Sequence, residues 1–140
     1  MTPQQYKSAA NFWKTQDRKQ MPADQLKPIV EDYLSNSSVC ALATGTGNYV
    51  RCTPLEYSYH NGKIWIFTEG GEKFIGLAQN NTVSLAVFDK NPEFGELKSV
   101  QLMGQAEIIE PMSAAYVAHA DVLFSSFKKQ GYDSRQVLEF

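Results

Sequence analysis

Residues 49–80 read Tyr-Val-Arg-Cys-Thr-Pro-Leu-Glu-Tyr-Ser-Tyr-His, then Asn61-Gly62, then Lys63-Ile-Trp-Ile-Phe-Thr, then Glu69-Gly-Gly-Glu-Lys73 and a short run to Asn80. Asn-Gly between two β-rich runs is a strong hairpin signal, because a type I′ turn needs positive φ at both central residues. The outgoing run closes on Gly70 and Gly71, and Lys73 follows at a predicted helix start. Glycines let backbone approach a ligand closely. A helix start offers free N–H groups and the positive end of a dipole. The strand-to-helix corner is therefore a candidate anion site, although a Gly-Gly pair also makes an ordinary turn.

Outward from this stretch the chain alternates short β-rich runs with turn signals. Val39-Cys-Ala-Leu-Ala-Thr reads as an apolar strand and Gly45-Thr-Gly-Asn as a turn. Pro54 has no N–H to give a sheet, so it must lie at an edge, a bulge or a non-hydrogen-bonded position. Residues 83–88 read as a buried strand, 89–96 as a loop, and 100–110 as a strand in which Gly104 suggests a bulge or a close backbone approach. Residues 111–117 fit one or two helical turns. Residues 121–127 read as a last strand, but Tyr116, Ala120, Phe124 and Phe127 keep helical spacing, so a continued helix remains open. Lys128 and Lys129 end the element in either case.

Upstream, Leu26, Ile29, Val30, Tyr33 and Leu34 have helical spacing, with Pro28 predicting a kink or a start near Lys27. Residues 3–20 hold a short amphipathic helix carrying Phe12-Trp13, followed by a charged linker, and form an N-terminal arm. The tail, residues 128–140, turns from polar to apolar and is expected to dock. About six short strands with helices at the ends give a mainly β, α+β fold, expected to close as a small barrel because closure removes exposed edges.

At 140 residues one domain, residues 1–140, is expected. The net charge of −2 supplies no basic field for nucleic acid. No apolar run approaches the ~20 residues of a membrane span, and the N-terminus lacks a charged-then-apolar leader. A cytoplasmic location is expected. Cys40 and Cys52 are then expected as buried free thiols rather than a disulfide. Two Cys and two His, widely spaced, make no metal site.

The order of these motifs resembles the pyridoxamine 5′-phosphate oxidase-like FMN-binding split barrels. The resemblance rests on Cys40-Ala-Leu-Ala-Thr, Val50-Arg-Cys-Thr-Pro-Leu-Glu-Tyr, Ile66-Phe-Thr-Glu-Gly-Gly-Glu-Lys-Phe, the Leu77–Leu85 segment and Gly104-Gln-Ala-Glu-Ile-Ile, and it covers roughly residues 22–136. It implies a six-stranded split β-barrel with short flanking helices, and a homodimer with FMN at the subunit interface. It also implies that Arg51 and Lys73 contact the phosphate. Cys52, Thr53, Pro54 and Leu55 would run their backbone along the flavin ring. Phe67 and Thr68 would lie beside the ribityl chain and phosphate, next to Gly70 and Gly71. Gln101 would offer a polar side chain, with its register open, and Arg135 a contact from the partner subunit.

This sequence also departs from the family pattern. The C-terminal Arg-and-His motif for a substrate phosphate is not reproduced by Asp133-Ser-Arg-Gln, so true pyridoxamine phosphate oxidase activity is not expected. Glu72 stands where many relatives have Arg or Ser, and the segment between Glu110 and Asp121 is shorter than in many of them.

A phosphate dianion needs charge-assisted donors, which an Arg fork beside a Lys supplies. Glu69 and Glu72 would oppose an anion, so either their side chains point away or the site is weaker than in the family. Of Ile64–Phe67, one alternating pair faces the core. His60 reads as a turn residue, His119 as structural, and Cys52 as inert. No acid–base residue stands out, so no catalytic residue is assigned. The resemblance points to a flavin-dependent oxidoreductase acting on a small molecule. The alternatives are a flavin-binding or sensing module without turnover, or a split barrel holding haem or a deazaflavin.

Overall fold

A computed structural model describes residues 2–15 and 20–129. Arg135 and the tail from residue 130 lie outside the described residues, as do the side chains of Trp13, Phe124 and Phe127. The chain divides into two compact units, Met1–Asp32 and Tyr33–Phe140.

The first unit holds α1 (Pro3–Thr15) and most of α2 (Ala23–Asn36). α1 opens on a reciprocal cap: the Thr2 N–H donates to Gln5 Oε1 at 2.7 Å, and the Gln5 N–H donates to Thr2 Oγ1 at 3.2 Å. This arrangement satisfies two otherwise orphaned donors, and Pro3 at the first helical position loses nothing by lacking an N–H. α2 starts at Ala23 rather than near Lys27. The N–H groups of Gln25 and Leu26 close on the Pro22 carbonyl at 3.0 and 2.9 Å, so the first turn is complete before Pro28, which sits inside the helix. Of the apolar stripe, Leu34 is buried, whereas Leu26 and Ile29 are exposed.

The second unit contains β1 (Val39–Thr46), β2 (Tyr49–Glu56), β3 (Ser58–His60), β4 (Lys63–Trp65), α3 (Lys73–Leu77), β5 (Thr82–Phe88), β6 (Ser99–Gln105) and α4 (Ala114–Lys129). The strands are antiparallel and form a four-stranded sheet in the order β2-β1-β5-β6, with β3 and β4 as a separate pair. The architecture is α+β and mainly antiparallel. The four-stranded sheet does not close among the described residues.

The predicted hairpin turn is present, with Asn61 at φ 51° and Gly62 at φ 74°, as a type I′ turn requires. It joins only the three-residue strands β3 and β4. The longer incoming run belongs elsewhere: β2 pairs with β1, from Val39↔Glu56 to Thr46↔Tyr49. Gly45 and Thr46 are therefore strand residues, and the turn lies at Gly47 and Asn48, with Gly47 at φ 53°. Tyr57 separates β2 from β3. It is buried, its N–H bonds to the Ser38 carbonyl at 2.9 Å, and its Oη donates to the Leu34 carbonyl at 2.8 Å. That last bond satisfies a carbonyl in the final turn of α2.

Pro54 lies on the edge strand β2, as its missing N–H requires. Gly104 makes no bulge, because the β5–β6 register runs unbroken from Thr82↔Gln105 to Phe88↔Ser99. β6 ends at Gln105 rather than at Glu110. Residues 121–127 are helix, not strand. Ser113 starts α4 by accepting the Tyr116 N–H on Oγ at 3.3 Å and the Val117 N–H on its carbonyl at 2.9 Å.

Alternation along β1 divides the sheet's faces. Cys40, Leu42 and Thr44 are buried. Their cross-strand partners are Leu55, Thr53 and Arg51 on β2, and Val87 opposite Cys40 and Leu85 opposite Leu42 on β5. Paired residues share a face, so Arg51 projects on the covered side of the sheet, while Cys52 belongs to the other side.

Candidate functional site

α3 packs on the covered face of the sheet, against β1 and β2. A Cβ on Gly76 would come within 3.0 Å of the Gly45 nitrogen and 3.3 Å of Thr44 Cβ. Only glycine lets the helix approach the strand this closely. Asn80 fastens the far end: its Nδ2 donates to the Gly45 carbonyl at 2.9 Å, and its Oδ1 accepts the Thr82 N–H at 3.0 Å. Thr46 Oγ1 donates to Gln79 Oε1 at 3.2 Å.

Before α3 the chain turns through Gly70 at φ 117° and Gly71 at φ 102°, values that L side chains rarely adopt. Thr68 holds the turn, accepting the Gly70 N–H on Oγ1 at 3.4 Å and donating to the Gly70 carbonyl at 3.3 Å. Lys73 is only 6% exposed. Its ammonium donates to the Gly70 carbonyl and lies 5.3 Å from the centre of the Phe74 ring. Among the described residues no carboxylate lies within ion-pair distance of it. A buried ammonium satisfied by one carbonyl and one ring is an unfinished arrangement, since burying a charge is expensive unless it is paired.

Arg51 approaches the same corner from β2. Its Nη1 lies 2.6 Å from Glu72 Oε2, and the two side chains are 50% and 58% exposed. Of the two alternatives the sequence left for Glu72, pointing away is not the one observed: its carboxylate engages the arginine. Tyr49 Oη also reaches this residue, donating to the Glu72 carbonyl at 3.4 Å. α3 has five residues, too few to supply the dipole expected of the corner. The polar resources of the corner are side chains.

Sequence reasoning missed Thr44. It is 3% exposed, its Oγ1 has no hydrogen-bond partner among the described residues, and it stands opposite Arg51 in the β1–β2 register. A polar residue at an inward position of an otherwise apolar strand was the available signal.

The structure thus gathers Arg51, Thr68, Gly70, Gly71 and Lys73. Cys52, Thr53, Pro54 and Leu55 run along the adjoining edge strand, whose other side pairs with no described strand. Gln101 lies on β6 at the opposite edge, roughly 14 Å away across three inter-strand spacings. Cys52 is exposed rather than buried, and Cys40 is buried; both are free thiols. Burial pushes the Cys40 thiol up to about 11.

Phe67 belongs to a second cluster. His119 of α4 stacks on Trp65 at 4.1 Å between ring centres and on Phe67 at 5.6 Å. Tyr116 meets Phe67 edge-on at 5.6 Å. The His119 Nε2 lies 3.1 Å from Ser58 Oγ, and the His60 ring is 6.1 Å away. Burial, and then the proximity of His60, holds the His119 imidazole below its ordinary value. His119 is buried in this cluster and Trp65 half-buried, whereas Phe67 remains 40% exposed, so neither alternating pair of residues 64–67 is fully enclosed.

Among the described residues no helix is long and apolar enough to cross a membrane, and no group of His, Cys, Asp or Glu could hold a metal ion. No curated protein matches the chain significantly. Solved structures share its fold. One is a FAD-binding protein from Mesorhizobium loti, with TM-score 0.61 and 23% identity over 79% of this chain and 75% of that one. Another is the FAD binding protein from Mycobacterium smegmatis, with TM-score 0.55 and 23% identity over 72% and 78% of the two chains. A third is a conserved hypothetical protein from Mycobacterium tuberculosis, with TM-score 0.54 and 25% identity over 69% and 61%. The pyridoxamine 5′-phosphate oxidase family matches residues 26–140, which include the whole corner from Arg51 to Lys73, and the chain belongs to that family.

Proposed function

We propose that this protein binds a flavin, FMN, with its phosphate at the corner between β2 and α3, and serves as a flavin-dependent oxidoreductase for a small molecule. The observation that carries the reading is Lys73, a buried ammonium without a carboxylate among the described residues. The residues fit a phosphate. A Cβ at Gly70 would meet nothing within 4 Å, so the loop leaves open space. Lys73 provides a point charge, Arg51 a planar fork, and Thr68 a hydroxyl at the same turn.

FMN, when bound, supplies the hydride and electron transfer. The chain's own part is to bind and orient. Lys73 and Arg51 fix the phosphate end. The outer edge of β2 from Cys52 to Leu55, which pairs with no described strand, offers backbone groups to the polar rim of the ring, and Pro54 removes one donor from that edge. The Trp65–Phe67–His119 stack holds the segment leading into the Gly70–Gly71 turn.

A homodimer with the flavin at its interface completes the proposal. The sheet face carrying Cys52 also presents Val50 and Met103, both largely exposed, and an isologous C₂ contact would cover them. Arg135, in the tail, is then the proposed contact from the second subunit. A stable monomer with flavin bound, seen by sedimentation, would exclude this arrangement.

The two FAD-binding neighbours favour FAD as the second reading. Purification followed by acid release and chromatography of the chromophore tests both. Released FMN supports the proposal and released FAD supports the second reading. A Soret band, a deazaflavin spectrum, or no flavin binding at micromolar concentration would overturn both. Turnover of NADH or NADPH with artificial acceptors separates an oxidoreductase from a binding module.

A further inference from the structure

We propose that Glu72 is an internal competitor for Arg51, so that a phosphate entering the corner must displace a carboxylate before it gains the arginine. The proposal rests on the flavin reading only for the ligand's identity. Its basis is the 2.6 Å contact between Arg51 Nη1 and Glu72 Oε2 beside a Lys73 that has no carboxylate partner among the described residues.

Charge accounting gives the consequence. Arg51 and Lys73 supply two positive charges and Glu72 removes one, so the corner offers a net +1 to a phosphate monoester carrying nearly −2. The Glu72 backbone is fixed on both sides, its carbonyl accepting both the Tyr49 hydroxyl at 3.4 Å and the Ile75 N–H at 3.1 Å. Its side chain is 58% exposed and can swing into solvent. The exchange is therefore cheap, because an exposed ion pair is weak and screened. Glu72 lowers the gain from the phosphate without abolishing it. The chain should discriminate FMN from riboflavin less than its two basic residues would otherwise allow, which makes Glu72 a specificity-determining residue.

The test is a double-mutant cycle on Arg51 and Glu72, read by flavin fluorescence titration with FMN and with riboflavin. Glu72→Gln keeps shape and removes charge. It should tighten FMN about twofold to tenfold, the scale of an exposed pair plus relief of repulsion, and leave riboflavin unchanged. Arg51→Ala should cost more FMN affinity in the Glu72→Gln background than in the parent, which is the coupling the exchange requires. An unchanged ratio of FMN to riboflavin affinity in Glu72→Gln, or additive effects of the two substitutions, overturns the proposal. If the parent binds neither flavin, the flavin reading fails, and inorganic pyrophosphate becomes the probe. A larger thermal shift with pyrophosphate in Glu72→Gln than in the parent then supports the competitor role, and an equal shift overturns it.

Discussion

Replacing Lys73 by methionine should move stability and affinity in opposite directions. The side chain is 6% exposed and its ammonium has one carbonyl for a hydrogen-bond partner. A thioether of similar length removes an unpaired buried charge and keeps a favourable contact with the Phe74 ring. The Gly70 carbonyl is not orphaned, because Thr68 Oγ1 still donates to it at 3.3 Å. Replacing buried ionic groups by apolar ones is often stabilising, and ~1–2 kcal/mol is a reasonable scale here. For a chain of this size that raises Tm by roughly 3–8 °C. The phosphate loses a charge-assisted bond of about 1.5–3 kcal/mol, so FMN affinity should fall roughly tenfold to a hundredfold. Riboflavin, which lacks the phosphate, should bind parent and variant alike. Differential scanning fluorimetry of the flavin-free proteins and fluorescence titration with both flavins measure the two effects. A fall in the flavin-free Tm would show that Lys73 serves the fold. Equal losses for FMN and riboflavin would place the effect in the ring pocket, and the phosphate assignment would fail.

Gly62→Val should destabilise the hairpin through backbone strain alone, since a Cβ there meets nothing within 4 Å but φ is 74°; about 1–2 kcal/mol is expected, and Gly62→Asn should cost less in the same chemical denaturation. A thiol reagent should label Cys40 only after unfolding, because Cys40 is 1% exposed and its thiol is pushed up to about 11 by burial; labelling of Cys40 in the native protein would contradict the β1 packing. His119 is held below its ordinary value by burial and then by His60, so the unfolded chain takes up a proton that the folded chain resists. Stability should be full above about pH 6.5 and fall as pH drops through the folded value. In His119→Phe that acid-side slope in Tm should flatten, and an unchanged slope would assign it to another group.

What was legible in the sequence was local. Asn61-Gly62 specifies its own backbone, and Pro54 excludes itself from the middle of a sheet. The assignment of the strand before the hairpin failed for a non-local reason. Tyr49–His60 reads as one β-rich run, but Tyr57 is drawn inward by bonds to Ser38 and Leu34, and the run breaks into β2 and β3. Each piece takes a different partner. The weaker Gly47-Asn48 signal, not the stronger Asn61-Gly62, connects the two long strands. α4 hid behind an ambiguity of period: residues 121–127 satisfy a strand and a helix equally until Ser113 is recognised as the cap that starts a helix ahead of them.

The candidate site divides the same way. Gly70, Gly71 and Lys73 stand within one short segment, so their corner could be read without knowing what lies opposite. Arg51 could be named, but its pairing with Glu72 depends on β2 crossing beside the start of α3, and no spacing along the chain reports that. The alternative in which Glu72 turns away assumed that an anion alone decides the electrostatics of the corner. The nearer cation decides it: Arg51 recruits the carboxylate, while Lys73, enclosed by Gly70, Gly71 and Phe74, stays beyond its reach. The two basic residues are therefore unequal. Arg51 exchanges one anion for another at little net gain, whereas Lys73 acquires its first. For that reason the phosphate selectivity of this corner should rest mainly on Lys73.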